Sequence, residues 1–169
     1  MNIDTEPKLN SQKKEEEIIC ENMRQIAKKF PKPSGAKIKE KRWHGHFGNN
    51  FKLLFLSFNK MNTDEYSISY LERIEKSYGN KWKKFVKDNI VLLSKIQEIL
   101  IQEKLYDELG NNSNNLIFKY KNQQLAKQIY EEVNLEGIHN DIWNKLNPLL
   151  QQASEIMVKY GIKTEEFYD

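Results

Sequence analysis

Apolar residues recur at intervals of three and four along most of this chain, the spacing that places side chains on one face of an α-helix. The first such stripe begins after Ser11 and stops at Pro31, a residue that disfavours helix in the position before it. Its members are Ile18, Ile19, Met23, Ile26, Ala27 and Phe30. Comparable stripes cover residues 66–78, 82–105, 125–133 and 138–160. The pattern predicts an all-α fold, an irregular helical bundle of about five to six helices with one long central helix over residues 80–109.

Residues 51–58, FKLLFLSF, are the one segment whose type is ambiguous. Phe51, Leu54, Phe55 and Phe58 match a helix face, but a short aromatic run is also typical of a buried strand. Its only plausible strand partner is LIFKY at 116–120. We favour a helix, and the prediction allows at most a minor two-stranded β element.

Turn and cap signals predict where the helices begin and end. Asn62 with Glu65 is a plausible N-terminal cap. The remaining predictions are a bend near Asp88–Asn89, an end at Gly110 before a polar loop at 111–115, a break at Glu136–Gly137, a restart or kink at Asn147–Pro148, and a Schellman ending at Gly161–Ile162.

Charge is unevenly distributed along the chain, whose formal net charge is +3. Residues 32–62 contain seven Lys and Arg against one Glu, whereas residues 131–169 contain three against eight acids. Such asymmetry indicates an anionic partner, or else two faces of one fold that neutralise each other. With the helical pattern, it predicts three regions: an N-terminal arm and amphipathic helix (1–31), a basic, aromatic connector (32–62) and a helical bundle domain (63–169).

Two basic segments are candidates for contact with nucleic acid. In the first, around KEKRWHGHF, cationic side chains would pair with phosphates and flat rings would stack on unpaired bases. The residues of this segment are Lys37, Lys39, Lys41, Arg42, Trp43, His44 and Phe47. In the second, Lys81, Lys83, Lys84 and Lys87 surround two aromatics, Trp82 and Phe85, whose spacing predicts packing in the core. The alternative for both segments is a solvated surface without a ligand.

The sequence predicts neither a metal site nor an enzyme. His44 and His46 form an H-x-H pair, but zinc needs about two more ligands, and His139 and Cys20 are distant in sequence. No serine or cysteine lies in a recognisable nucleophile motif, and no glycine loop of the phosphate-binding type is present. We infer no cofactor and no small-molecule substrate.

The predicted function is therefore that of a non-enzymatic helical binding protein, with nucleic acid as the anionic partner. The alternative is a helical subunit or adaptor of a multiprotein complex, or a homo-oligomer, because 3 Trp, 8 Tyr and 8 Phe are generous for a bundle and aromatics dominate interfaces. A lone cysteine, an N-terminus without an apolar core and the lack of any long apolar run predict an intracellular protein, cytoplasmic or nuclear, with no membrane partner.

Overall fold

The computed structural model describes residues 6–38, 49–58 and 65–163, and in these ranges it contains helices and no strands. The α-helices are α1 (Glu6–Ala27), α2 (Asn49–Ser57), α3 (Glu65–Tyr78), α4 (Asn80–Asp88), α5 (Ile90–Asn114), α6 (Gln123–Glu132) and α7 (Leu135–Lys159). A π-helical turn, Asn115–Lys119, follows α5 directly, so one helical stretch runs from residue 90 to 119. The predicted all-α bundle with a long central helix is confirmed, but that helix covers residues 90–119 and not 80–109. The ambiguous FKLLFLSF segment forms α2.

The chain divides into two compact units, each assembled from two separate stretches of sequence. Unit 1 comprises residues 1–37 and 102–141, and unit 2 comprises 38–101 and 142–169. Helices α5 and α7 therefore each contribute residues to both units. The three regions proposed from sequence stay a prediction. Over the described ranges, no helix has both the length and the apolar composition needed to cross a bilayer.

In unit 1, α1 packs through part of the apolar stripe that the sequence predicts, whereas Ile18 of that stripe is 60% exposed. Met23 is fully buried, and Cys20 and Ile26 are nearly so. The other buried apolar residues of this unit are Leu109, Leu116, Ala126, Ile129 and Ile138. A salt bridge adds to this packing. Arg24 of α1 donates to both carboxylate oxygens of Glu132, at the end of α6, over 2.9 and 3.0 Å.

Unit 2 has a larger apolar core, to which α2, α3, α4, α5 and α7 all contribute. On α5 the core residues Leu93, Ile96 and Leu100 repeat at the helical period. The buried Gln97 on the same helix donates from Nε2 to the carbonyl of Leu56 over 2.9 Å. That bond satisfies a carbonyl in the last turn of α2, where no intrahelical donor is available.

The predicted end at Gly110 and the polar loop at 111–115 are wrong, because α5 continues to Asn114. Two polar side chains bond back to carbonyls four residues earlier: Asn112 Nδ2 to Glu108 over 2.9 Å and Ser113 Oγ to Leu109 over 2.7 Å. Ser113 is itself fully buried. Burial of Leu109, Ser113 and Leu116 along one face keeps the segment helical despite its polar composition.

The predicted break at Glu136–Gly137 falls three residues too late. The turn is at Val133–Asn134, and Gly137 lies in the first turn of α7. Asn134 has a positive φ of 55°, and its Oδ1 accepts the N–H of Gly137 over 3.1 Å, as an N-terminal cap does. A Cβ at Gly137 would lie only 2.5 Å from Asn134 Nδ2, so glycine there lets the Asn134 side chain keep its capping position and does not mark a helix end.

The predicted restart at Asn147–Pro148 is not found, because α7 runs through Pro148 as one helix, and the alternative of a kink there stays a prediction. Pro148 is exposed, while Leu146 and Leu150 on either side of it are buried. Packing before and after the proline therefore keeps the helix whole, although the ring removes one backbone donor.

Two predicted boundaries are confirmed. Helix α4 ends at Asp88, and α5 begins at Ile90 after a turn in which Asn89 Nδ2 donates to the carbonyl of Phe85 over 2.9 Å. At the end of α7, the N–H of Ile162 donates to Met157 and that of Gly161 to Val158, the two bonds that define a Schellman motif. Ile162 is 1% exposed and joins the core of unit 2.

Candidate nucleic-acid interface

Helix α4 separates its aromatic residues from its lysines on opposite sides. Trp82 and Phe85 are buried, with ring centroids 5.5 Å apart, and both belong to the core of unit 2. The four lysines of the helix are all exposed: Lys81, Lys83, Lys84 and Lys87. Because successive residues turn by about 100°, the positions between the core residues lie on the outer side of the helix. Lys83, Lys84 and Lys87 therefore lie on the outer side of α4, whereas Lys81, about 160° around the helix from Lys83, lies at its flank. We call the four exposed lysines together the α4 lysine face.

Helix α4 is held in place by Tyr160, at the end of α7. The ring of Phe85 meets that of Tyr160 edge-on at 5.7 Å, and Tyr160 Oη donates to Asp88 Oδ2 over 2.7 Å. The hydrogen bond to this carboxylate raises the pKa of Tyr160. Asp88 is the only acid of α4, and it is engaged in this contact. Helix α4 is therefore fixed on its core, and the one carboxylate that belongs to α4 is already hydrogen-bonded.

The end of α7 adds two lysines to unit 2 that lie outside both predicted basic segments. Lys159 in the last turn of α7 and Lys163 just after it are both exposed. Tyr78 Oη donates to the carbonyl of Lys163 over 3.4 Å, and Lys81 Nζ lies 3.4 Å from the Cβ position of Gly161. Residues 131–169 are acidic on balance along the sequence. A linear charge count does not show that the end of α7, with its two lysines, lies near α4.

Net charge also differs between the two units, and the positive excess lies in the unit that contains α4. Unit 1 contains 12 Lys and Arg against 13 Asp and Glu, a net charge of −1. Unit 2 contains 15 against 11, a net charge of +4. Unit 2, which includes α4, therefore accounts for the positive charge of the whole chain.

Of the first predicted segment, only Lys37 is described, and it is an exposed residue in the stretch of 31–38 that follows α1. This stretch is tied to unit 1 at Ser34, whose N–H and Oγ donate to the carboxylate of Asp141 over 2.9 and 2.6 Å. The other predicted contacts of the segment, Lys39, Lys41, Arg42, Trp43, His44 and Phe47, lie outside the described residues. So does the H-x-H pair.

No group of three or more His, Cys, Asp or Glu side chains within the described ranges is arranged to hold a metal ion. His139 instead lies with its ring 5.4 Å from that of Tyr106. Burial raises the pKa of the Cys20 thiol, which is the opposite of what an activated nucleophile needs.

No protein-family model, curated protein or solved structure matches this chain. Any statement about function therefore rests on the burial, charge and contacts of the chain's own residues.

Proposed function

We propose that this chain is a non-enzymatic helical protein that binds nucleic acid through phosphate contacts on the α4 lysine face and through the basic, aromatic segment 37–47. The observation that supports the proposal most directly is the exposure of four lysines on a helix whose aromatic residues are buried. None of the four lysines has an ion-pair partner in the described part of the chain.

The dimensions of the α4 lysine face fit a phosphate backbone. From Lys81 to Lys87 the helix rises by about 9 Å. Each strand of a duplex carries one phosphate charge per roughly 3.4 Å of axis, so that interval spans about three phosphates on one strand and about five on both. Four ammonium groups on a helix fixed to its core can therefore replace the counterions of a short stretch of nucleic acid.

Burial of Trp82 and Phe85 limits what α4 can recognise. Because both rings belong to the core, they are not available to stack on bases, and the lysines contact only the backbone. On this proposal α4 supplies affinity without base specificity. Any stacking comes from Trp43, His44 or Phe47 in the other segment.

The test is the salt dependence of binding to a labelled oligonucleotide. Replacing Lys81, Lys83, Lys84 and Lys87 by Gln should weaken binding to every sequence and lower the slope of log affinity against log salt by about three, since roughly 0.7–0.9 counterions are released per phosphate. The matched control replaces four exposed lysines elsewhere, Lys95, Lys104, Lys127 and Lys145. It has the same net charge and should keep most of the slope. Equal effects of the two variants would overturn the role given to α4.

The stacking contribution has a separate test. Trp43→Ala should weaken binding to single strands by about 1–3 kcal/mol and leave the salt slope nearly unchanged. Neutralising Lys39, Lys41 and Arg42 together should instead lower the slope of log affinity against log salt by about two to three units. A loss of thermal stability in Trp43→Ala without any loss of affinity would make the segment a connector.

The alternative, a subunit or adaptor that binds protein, has one observation in its favour. Phe118, in the π-helical turn after α5, is 77% exposed, and exposed aromatics are common anchors at interfaces. Most other described aromatics are at least partly buried. On this alternative, light scattering of the wild-type protein, either purified or in a nuclease-treated lysate fraction, should show an oligomer or a complex, and Phe118→Ser should abolish it. Equal particle masses for the wild type and Phe118→Ser would remove this alternative.

A further inference from the structure

Unit 1 contains a surface cavity that takes no part in the proposed binding of nucleic acid. Its volume is about 550 Å³, and it lies between α5, the end of α6 and the start of α7. Sites for small ligands have volumes of roughly 300–1,000 Å³. Its lining includes three ring-bearing residues, Tyr106, Tyr130 and His139, and two acidic residues, Glu131 and Glu136.

Three rings form much of the wall of this cavity. The ring centroids of Tyr106 and His139 are 5.4 Å apart, with their planes tilted by 38°, and Tyr130 provides the third ring. All three side chains are only partly buried, so they retain surface on the cavity side. The face of an aromatic ring carries partial negative charge and attracts cations.

Two carboxylates complete the lining, and neither is neutralised by the protein. Glu131 and Glu136 are exposed and have no hydrogen-bond or ion-pair partner among the residues that the structure describes. Glu132, the neighbour of Glu131, is by contrast paired with Arg24. Glu131 also lies in the last turn of α6, which contains no basic residue and where the helix carbonyls add further negative charge.

The turn that joins the two carboxylates is fixed by its own hydrogen bonds. Asn134, also in the lining, has a φ of 55°, and its side chain accepts the N–H of Gly137. A Cβ at Gly137 would displace the Asn134 side chain from this position. Glu131 and Glu136 lie on either side of this turn, so the spacing of their backbone positions is set before any ligand binds, which lowers part of the entropic cost of binding.

We propose that this cavity binds an organic cation, an ammonium or guanidinium group carried on an apolar chain. The cation would lie against the rings of Tyr106, Tyr130 and His139 and pair with Glu131 and Glu136. An anion is disfavoured by the two carboxylates, and a neutral molecule gains neither the ring attraction nor the ion pairs. Two sources share this chemistry: a free polyamine, and the side chain of a lysine or arginine on another protein.

The first experiment titrates ¹⁵N-labelled protein with n-butylammonium and, as its neutral counterpart, n-butanol. Saturable shifts of the amide signals of residues 130–139 are expected for the cation, with a Kd on the order of millimolar, and none for the alcohol. Spermidine and a short peptide with a single central arginine then distinguish the sources, because the tighter binder identifies the natural ligand class. Equal shifts with n-butanol, or no saturable shift with any cation, would overturn the proposal.

The second experiment uses variants. Glu131→Gln with Glu136→Gln should weaken n-butylammonium binding by about tenfold or more. The control, Glu98→Gln with Glu155→Gln, makes the same charge change on exposed residues of unit 2 and should leave the affinity within about twofold. Tyr130→Phe keeps the ring and should bind normally, whereas Tyr130→Leu should bind severalfold more weakly. Unchanged melting temperatures establish that each variant is folded, and equal affinities for the glutamate pair and its control would refute the site.

Discussion

At the scale of single residues, Gly161 and Gly110 look alike in sequence, since each follows an apolar helical stripe. Their backbones differ: Gly161 has a φ of 79°, in the left-handed region, whereas Gly110 lies inside α5. Of these two glycines, Gly161 alone ends a helix, and its backbone conformation favours glycine over other residues.

The pair gives a matched prediction for stability. Gly161→Ala should lower the free energy of unfolding by about 1 kcal/mol, because alanine is strained at positive φ. Gly110→Ala should raise it by about 0.5–1 kcal/mol, because the site is helical and no atom lies within 4 Å of the added methyl group. Urea unfolding followed by circular dichroism measures both. Changes of the same sign would contradict the assignment of the two backbones.

Residue periodicity was enough to predict which side of α4 is buried, because Trp82 and Phe85 differ from the lysines in both spacing and polarity. It did not predict that Asn112 and Ser113 would continue a helix, since that depends on hydrogen bonds to carbonyls four residues earlier. It also missed Lys159 and Lys163, because their position next to α4 is a property of the tertiary fold.

At the scale of the elements, α7 contains a proline that it does not need for packing. Pro148 is exposed and has no N–H to donate to the carbonyl of Asn144. Pro148→Ala should therefore raise the free energy of unfolding by roughly 1–3 kcal/mol, the restored hydrogen bond being partly offset by the greater freedom of the unfolded chain. Gln152→Ala, at an exposed position of the same helix, is the control and should change stability by only a few tenths of a kcal/mol. A destabilised Pro148→Ala would mean that α7 requires the proline.

Contacts between α1 and the rest of unit 1 should depend on pH. The guanidinium of Arg24 donates to Glu132 and lowers the pKa of that carboxyl. The Tyr120 hydroxyl, followed by the Lys119 ammonium, lowers the pKa of Glu15 in the same way. Because both carboxyls have lower pKa values in the folded state than in the unfolded state, their stabilising effect is present above the unfolded pKa of about 4.3 and is lost as the pH falls through the folded pKa.

Melting curves between pH 3 and pH 7 test this prediction. Wild type should melt at a slightly higher temperature than Glu132→Gln at pH 7, and the two should converge in acid. The difference should be small and should shrink in high salt, because Arg24 and Glu132 are 41% and 50% exposed. A constant difference down to pH 3 would show that Glu132 acts through something other than its charge.

Apolar spacing predicted helix for the longer segments, but it left residues 51–58 open between helix and strand, because a run that short fits both. Three helix boundaries were also predicted wrongly, at Gly110, at Glu136–Gly137 and at Asn147–Pro148, and two of them show why. The asparagine-rich stretch at 111–115 has loop-like composition but lies where Leu109 and Leu116 both need burial. Gly137 has the composition of a stop signal, and only the position of Asn134 beside it shows that it marks a helix start.

At the scale of the whole molecule, neither unit is a continuous piece of chain. The core of unit 2 joins residues 54–100 with residues 143–162, and the stretch between them belongs mostly to unit 1. An isolated fragment of residues 38–101 should therefore show no cooperative thermal transition, because the surfaces covered by Leu146, Leu150 and Met157 would be exposed to water. Adding a peptide of residues 142–169 should restore helicity measured by circular dichroism. A sharp transition of the fragment alone would show that the second stretch is dispensable.

This interleaving also sets the order of events on a ribosome. The last stretch of unit 1 ends at Asp141, whereas unit 2 waits for Ile162, roughly 20 residues later, to complete its core. At about 5–20 residues per second, that interval lasts roughly 1–4 s. During it, the nascent chain carries the apolar faces of α2 to α4 without their final cover, although those helices were synthesised long before α7. The segment made early is thus the one finished last, and nascent-chain chaperones would meet this protein through unit 2.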